Sequence, residues 1–497
     1  VLKQKMKGSH AADGNHLFET VIGLEIHAEL NTKSKIFCSC STRFGSRPNE
    51  NTCPVCMGLP GTLPVLNKEA VRLAARAGTA LHCSVNRVSR FDRKNYFYPD
   101  LPKAYQITQY DLPLCEFGYL DIETGQDRPN GTRRTHRIGI SRIHLEEDAG
   151  KLIHPEGETV TLLDYNRAGV PLIEIVTEPD MRSPEEAVAF LKALKSILEY
   201  TEVSDCRMEQ GSLRCDVNLS VREMGKTDFG TKVEIKNLNS FREIQRALAA
   251  EGERQKKQYC SGGPDSILPE TRRWDNGRGR TVTMRSKEGN QDYRYFPDPD
   301  LPPVFLDRSL LCPMRNGIPE LPEQKKERFL REYGLNPYEA GLLTGEKALA
   351  DYYEEVVGFG VDSREAAHWI LDELLRIRKE AGNREIPVKS RYLADLIQKI
   401  GEGRISRNTG KDVLMEMVVT RKAPGEIIRE KGLSQISDPA ELQKIIRGVL
   451  SRNTDAAQDY KKGSAKAIGF LMGQIMKASR GKANPNLARV LLEELLS

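Results

Sequence analysis

A chain of 497 residues, 39% hydrophobic and 29% charged, is too long for one core, and it has no run approaching the ~20 apolar residues that span a bilayer. A net charge of +5 is small at this length, which excludes a protein that coats nucleic acid over its whole surface and leaves only a local polyanion contact. Ten cysteines, four of them closely spaced, are too sparse for a disulfide-stapled secreted scaffold and point to a reducing compartment with a metal site.

Residues 1–17 lack an apolar central region and a cleavage site, so they read as a flexible leader and not as a secretory signal. From Phe18 to about Asp307, short alternating runs broken by Gly, Pro and Asn surround two helices, an α+β pattern. In the first run, strand geometry sends Leu24, Ile26 and Ala28 to one face and Glu25, His27 and Glu29 to the other. A solvent-exposed face of a half-buried sheet would carry the same pattern.

Cys38-Ser39-Cys40 and Cys53-Pro54-Val55-Cys56 are two thiol pairs spaced to close a tetrahedral zinc site; two disulfides are the alternative that a reducing compartment disfavours. Four protein ligands leave no open position, so such a zinc is structural. The six lone cysteines are expected to be small buried hydrophobes. Phe91 to Lys103 interleaves Arg93 and Lys94 with Tyr96, Phe97 and Tyr98, as a nucleotide or RNA end requires for charge pairing and stacking. An aromatic loop packed on the sheet has the same composition.

Ile143-His144-Leu145-Glu146-Glu147-Asp148 ends an alternating run in three acids, and Pro171 to Val176 sets Glu174 alone among apolar neighbours. A carboxylate there must be paired, metal-bound or protonated. Asp216 and Asn218 share the polar side of a run from Arg214 to Val221. Carboxylates with one histidine suit Mg²⁺ or Mn²⁺ better than zinc. Capping signals start the two helices at Ser183-Pro184 and Ser240-Phe241, with Val188, Leu191 and Leu198 in the first buried stripe and Phe241, Ile244 and Leu248 in the second.

After Pro302-Pro303 the periodicity turns helical, over 323–333, 363–381 and 392–399. Domains are therefore expected at 18–307, 308–422 and 423–497, with the zinc loop at 38–56. The last segment holds 12 Lys and Arg against 8 Asp and Glu, and its Lys461, Lys462, Lys466, Lys477, Arg480 and Lys482 suit either a solvated helix face or a phosphate-backbone contact. Gly469 and Gly473 suggest close helix packing. No Walker A string occurs; Thr409-Gly410-Lys411-Asp412 lacks the glycine spacing and the Ser/Thr, so any ATP is held without a P-loop.

The string Leu162 to Pro179, around Asp164-Tyr165-Asn166-Arg167-Ala168-Gly169-Val170-Pro171, resembles a motif of the GatB family of aspartyl/glutamyl-tRNA amidotransferase subunits. The resemblance runs on through Val21 to His27, Phe91 to Tyr98, His144 to Gly150, Gly211 to Asp216 and Lys236 to Phe241. It implies an α+β cradle with a mixed or antiparallel sheet, an all-α helical domain and a small YqeY-like tail that binds tRNA. The implied enzyme is a ligase that uses ATP to phosphorylate the side-chain carboxylate of Glu-tRNA(Gln) or Asp-tRNA(Asn), after which ammonia displaces the phosphate.

Carried over by motif, Glu25, His27, Glu147, Glu174 and Asp216 are the Mg²⁺ positions, with Glu25, His27 and Glu147 catalytic and Glu147 also a candidate to orient ammonia. Arg93, Lys94, Tyr96, Asn166 and Arg167 are assigned to the nucleotide. Cys38, Cys40, Cys53 and Cys56 match zinc-bearing members. Nothing resembles an amidase Ser-Ser-Lys site, so the resemblance implies an amidase partner, GatA, and a small third component, GatC; no insertion of the kind found in the archaeal relative GatE is present. A cytoplasmic, membrane-free location follows. Two rivals stand beside this reading: a non-catalytic tRNA-binding scaffold and a stand-alone ligase using free ammonia.

Overall fold

The computed structural model describes residues 18–124, 134–155, 157–286, 292–380, 386–436, 438–461, 465–479 and 482–496; the leader, Lys462 and Arg480 lie outside them. The chain divides after Leu321 into two compact units.

The first unit is built on a twelve-stranded sheet. Its strands are β1 (Phe18–Glu29), β2 (Ser84–Val85), β3 (Asp92–Asn95), β4 (Tyr105–Thr108), β5 (Cys115–Thr124), β6 (Arg134–Glu147), β7 (Pro171–Thr177), β8 (Leu213–Glu223), β9 (Val233–Lys236), β10 (Glu270–Asp275), β11 (Arg280–Ser286) and β12 (Phe296–Pro297). Their order is β11-β10-β9-β8-β1-β7-β6-β4-β3-β12, with β5 also on β6 and β2 on β5. Only β9 and β10 run parallel, so the sheet is mixed.

Strand alternation decides which side is core. Ile22, Leu24, Ile26 and Ala28 of β1 are buried with Ile173 and Ile175 of β7 and Ile143 and Leu145 of β6. That face is covered by α1 (Lys68–Ala80), α2 (Pro184–Tyr200) and α3 (Phe241–Gly262), through residues such as Leu73, Phe190, Leu194, Ile244 and Leu248. Full burial of each large side chain contributes about 1.5–3 kcal/mol.

Both predicted helix starts are present: Ser183 Oγ accepts from the Glu186 amide at 3.2 Å and Ser240 Oγ from the Glu243 amide at 3.2 Å. In α2 the deepest stripe runs through Phe190, Leu191, Leu194 and Leu198, whereas Val188 is only half-buried. Helix α4 (Arg308–Asn316), capped by Asp307, packs on the first unit's core through Leu310, Leu311 and Met314.

The regular elements of the second unit, among the described residues between Pro322 and Leu496, are helices. Near its end, Leu442, Ile446, Leu471, Ile475, Leu491 and Leu492 make a small core of their own. A Cβ at Gly469 or Gly473 would meet nothing within 4 Å, so these glycines lie on an open helix face and do not mark close packing. Lys466, Lys477 and Lys482 are exposed. Among the described residues no helix is long and apolar enough to cross a membrane.

Candidate active site

The polar face of the sheet converges where β1, β7 and β6 lie side by side. Register sets His27 opposite Glu174, and Glu174 opposite His144. His27 Nε2 lies 3.3 Å from Glu146 Oε1 and 3.4 Å from Glu174 Oε2, and His144 Nε2 lies 3.5 Å from Glu174 Oε2. Burial opposes charge on His27, but the hydrogen bonds and charges of Glu146 and Glu174 outweigh it and raise its pKa from 6.5 to about 10. The two carboxyls are likewise held below their usual range, against the pull of burial, by the two imidazoles. Glu174 is thus the paired carboxylate its apolar setting demanded.

His27, Glu146 and Glu174 can each turn one ligand atom to within 4.8 Å of the others, and the Nδ1 of buried His144 has no hydrogen-bond partner. Two carboxylates and an imidazole fit a divalent cation such as Mg²⁺ or Mn²⁺ that completes its shell with phosphate or water oxygens.

Glu25 and Asp216 face each other across β1 and β8, two residues along from His27, but stand outside this ligand group. Glu25 accepts from Asn218 Nδ2 at 2.8 Å, and Asp216 accepts from Lys236 Nζ at 2.7 Å. At the other end of β1, burial and then Asp148 push the Glu29 carboxyl up to about 8, while Arg214 and Arg167 lie on Asp148 at 2.8 and 3.3 Å.

Glu147 does not join the cluster. Next to Glu146 on the same strand, it points to the opposite face, where Lys103 Nζ reaches both its oxygens at 2.5 Å and the Ile107 amide donates to it at 2.9 Å. The candidate metal ligand that the family motif did not single out is Glu146. Its signal was present: in His144-Leu145-Glu146 alternation puts the imidazole and Glu146 on one side and Glu147 on the other.

A small cleft beside Glu147 and Lys103 is lined also by Lys35, Cys38, Cys56 and Gly169. Cys38, Cys40, Cys53 and Cys56 bring their sulfurs within 4.8 Å of one another. With Zn–S of ~2.3 Å, tetrahedral sulfurs stand about 3.8 Å apart, so the four fit a zinc ion. Hydrogen bonding from Cys38, aided by the nearby Lys35 ammonium, lowers the Cys56 pKa to about 4 despite burial. Fully buried Lys35, 3.6 Å from Cys56 Sγ, supplies positive charge beside what would be a dianionic four-thiolate site. Of the other cysteines, Cys83, Cys115, Cys206 and Cys215 are buried as expected, but Cys260 and Cys312 lie on exposed helix positions.

The residues assigned to a nucleotide separate into two groups. Arg93 is held by Asp298 and Asp300, each at 2.8 Å, and its guanidinium covers Tyr105. Asn166 donates to the Arg47 carbonyl and accepts from the Asn51 amide, both at 2.7 Å, which fastens the cysteine loop. Arg167 donates to the Ala149 and Gly150 carbonyls. Tyr96, by contrast, feels the charge of Glu146, and Lys94 lies over the Tyr96 and Tyr293 rings. Burial, with Glu146, Asp100 and Glu147 close by, pushes the Tyr96 hydroxyl above its ordinary value; burial followed by Tyr293 and Glu174 does the same at Tyr295. Tyr293 and Tyr295, far away in sequence, arrive because β12 pairs with β3 and the Asn95 amide donates to the Tyr293 carbonyl at 2.9 Å.

Against known families, the GatB/GatE catalytic domain matches residues 20–312, which spans the whole cluster, and the GatB domain matches residues 351–496. The chain belongs to the GatB family. The second of the aspartyl/glutamyl-tRNA(Asn/Gln) amidotransferase B subunits of Clostridium acetobutylicum is 54% identical over 482 residues, 97% of this chain and 99% of the relative. The corresponding proteins of Clostridium beijerinckii and Caldicellulosiruptor bescii are 52% and 53% identical, over 97% and 96% of this chain and 99% of each relative. The helical C-terminal core thus falls inside the second GatB match.

Proposed function

We propose that this chain is the GatB component of a tRNA-dependent, glutamine-hydrolysing amidotransferase: it uses ATP to phosphorylate the side-chain carboxylate of Glu-tRNA(Gln), Asp-tRNA(Asn) or both, then lets ammonia displace the phosphate. The observation that carries this reading is the His27–Glu146–Glu174 cluster lying inside the catalytic-domain match. The names of the full-length relatives support the substrate class. A merely tRNA-binding scaffold gives no reason to sequester two carboxylates and two imidazoles, an arrangement that is costly unless every charge is answered.

His27, Glu146 and Glu174 would hold the cation, with Glu25 and Asp216 orienting around it. A bound Mg²⁺ supplies charge neutralisation between phosphate and carboxylate, which otherwise repel. Lys94, over the Tyr96 and Tyr293 rings and without a carboxylate partner among the described residues, is free to meet a phosphate oxygen. Glu147, held by Lys103 on the other face, is assigned to orienting ammonia. Ammonia itself requires a glutaminase partner, GatA, with GatC as the third component; zinc in the cysteine loop is structural.

The test is conversion of both mischarged tRNAs by the assembled complex with ATP and glutamine. Glu146→Gln is expected to retain tRNA binding and lose the phosphorylated intermediate; an E146Q complex that still forms it at the wild-type rate would return the chain to the scaffold reading.

A further inference from the structure

Beside the acid cluster runs a row of four tyrosines drawn from three separate stretches of chain. Tyr96 meets Tyr293 edge-on at 6.1 Å, Tyr293 meets Tyr295 at 5.9 Å, and Tyr295 stacks on Tyr110 at 4.1 Å with the rings 6° from parallel. Tyr96, Tyr293 and Tyr295 are half-buried and Tyr110 opens the row to solvent at 46% exposed, while Phe97 and Tyr98, next to Tyr96 in the chain, are 86% and 52% exposed. Lys94 Nζ sits 5.0 Å over the Tyr293 ring, and Arg142 lies near Tyr295; among the described residues neither cation has a carboxylate partner. The row borders the acid cluster along its length, the charge of Glu146 acting on Tyr96 and that of Glu174 on Tyr295.

We propose that this row is the stacking path for the unpaired 3′ end of the aminoacylated RNA, with the terminal adenine on the open face of Tyr110, whose other face rests on Tyr295, and the backbone phosphates meeting Lys94 and Arg142. The inference rests on the function proposed above and adds the residues that seat the substrate. Exposed aromatic rings in series with cations between them are the chemistry that binds single-stranded nucleic acid without reading its sequence. ATP offers one base and would need one enclosed slot; consecutive unpaired bases need several open rings. The esterified amino acid hangs from the ribose of the terminal nucleotide, so gripping that base beside Glu174 delivers the side-chain carboxylate to the cation.

The experiment uses the complete chain in complex with its partner subunits and tRNA(Gln) carrying 2-aminopurine in place of the 3′-terminal adenine, whose fluorescence is quenched by stacking. Quenching by wild type and by Tyr110→Phe is expected. Tyr110→Ala and Tyr295→Ala should lose it and raise KM for Glu-tRNA(Gln) about tenfold or more, the effect of removing one base–aromatic stack, while leaving the Kd for ATP unchanged. Three results would overturn the proposal: weakened ATP binding with quenching intact, which makes the row an ATP adenine subsite; variants of unaltered melting temperature with wild-type quenching and KM; or a wild-type complex that converts Glu-tRNA(Gln) without quenching the probe. A wild-type complex that neither binds nor converts the tRNA would remove the functional reading together with the path.

Discussion

The position of His27 between Glu146 and Glu174 predicts that a divalent cation and a proton compete for one site. Without metal, the two carboxylates keep the imidazole protonated up to a pKa of about 10. A cation that takes the Nε2 lone pair must expel this proton. At pH 7.5 the opposition amounts to about 3 kcal/mol, from ~2.5 pH units at 1.36 kcal/mol each. Apparent Mn²⁺ affinity should therefore climb about tenfold per pH unit between pH 7 and 9, because one proton leaves for each ion bound. Calorimetric titrations at pH 8, in buffers of different ionisation enthalpy, would count it directly. Glu146→Gln removes one of the two flanking charges, so His27 becomes less basic and the proton count falls together with affinity. The stability of the metal-free chain follows the same sign. A histidine raised from 6.5 to about 10 contributes fully below pH 6.5, and its contribution disappears as pH rises through 10. The melting temperature should thus decline from pH 7 to 10 without cation and decline less with saturating Mn²⁺. Affinity that is flat with pH, or binding that releases no proton, would refute the assignment of His27 as a ligand.

Other consequences are separable from this one. Lys103→Met leaves Glu147 buried without its counter-charge and should cost about 3–5 kcal/mol in urea unfolding, most of which the double variant with Glu147→Gln should restore. Purified protein should carry about one zinc per chain, and Cys56→Ser should release it and lower the melting temperature, as read by metal analysis and calorimetry. Gly118→Ala would drive a Cβ to 2.3 Å from Cys83 Sγ and 2.7 Å from the Leu81 carbonyl, so a loss of about 1–3 kcal/mol is expected by denaturant titration.

Periodicity carried most of the first unit. The alternation of β1, β7 and β8 and the caps at Ser183 and Ser240 are local signals, and local signals survive folding when the element is long and one-sided, as these are. What the sequence hid was neighbourhood. Arg93, Asn166 and Arg167 look like ligand contacts as residue types, but their partners Asp298, Arg47 and Ala149 come from other elements and claim their polar groups within the protein. Tyr293 and Tyr295 went unnoticed for the same reason, being nearly 200 positions from the Tyr96 they meet. The candidate zinc loop was legible because its four ligands are close in sequence.

The adjacent acids Glu146 and Glu147 show how much depends on register. One faces His27 across the sheet, the other faces Lys103 and the cysteine-lined cleft. A slip of one residue in β6 would exchange them and turn Leu145 onto the polar face. The strand end is accordingly pinned: the Asp148 amide donates to the Val170 carbonyl at 2.9 Å and the Gly169 amide to the Asp148 carbonyl at 2.8 Å. Gly169 makes this return at φ +84°, a conformation that costs other residues about 1 kcal/mol or more, and it does so against Cys56, Lys35 and Glu147. The Asn166-Arg167-Ala168-Gly169 turn that carries the family resemblance is therefore a register clamp. Its consequence is that Glu146, held by His27, and Glu147, held by Lys103, hang from one clamped peptide, and neither carboxylate can be moved without disturbing the other.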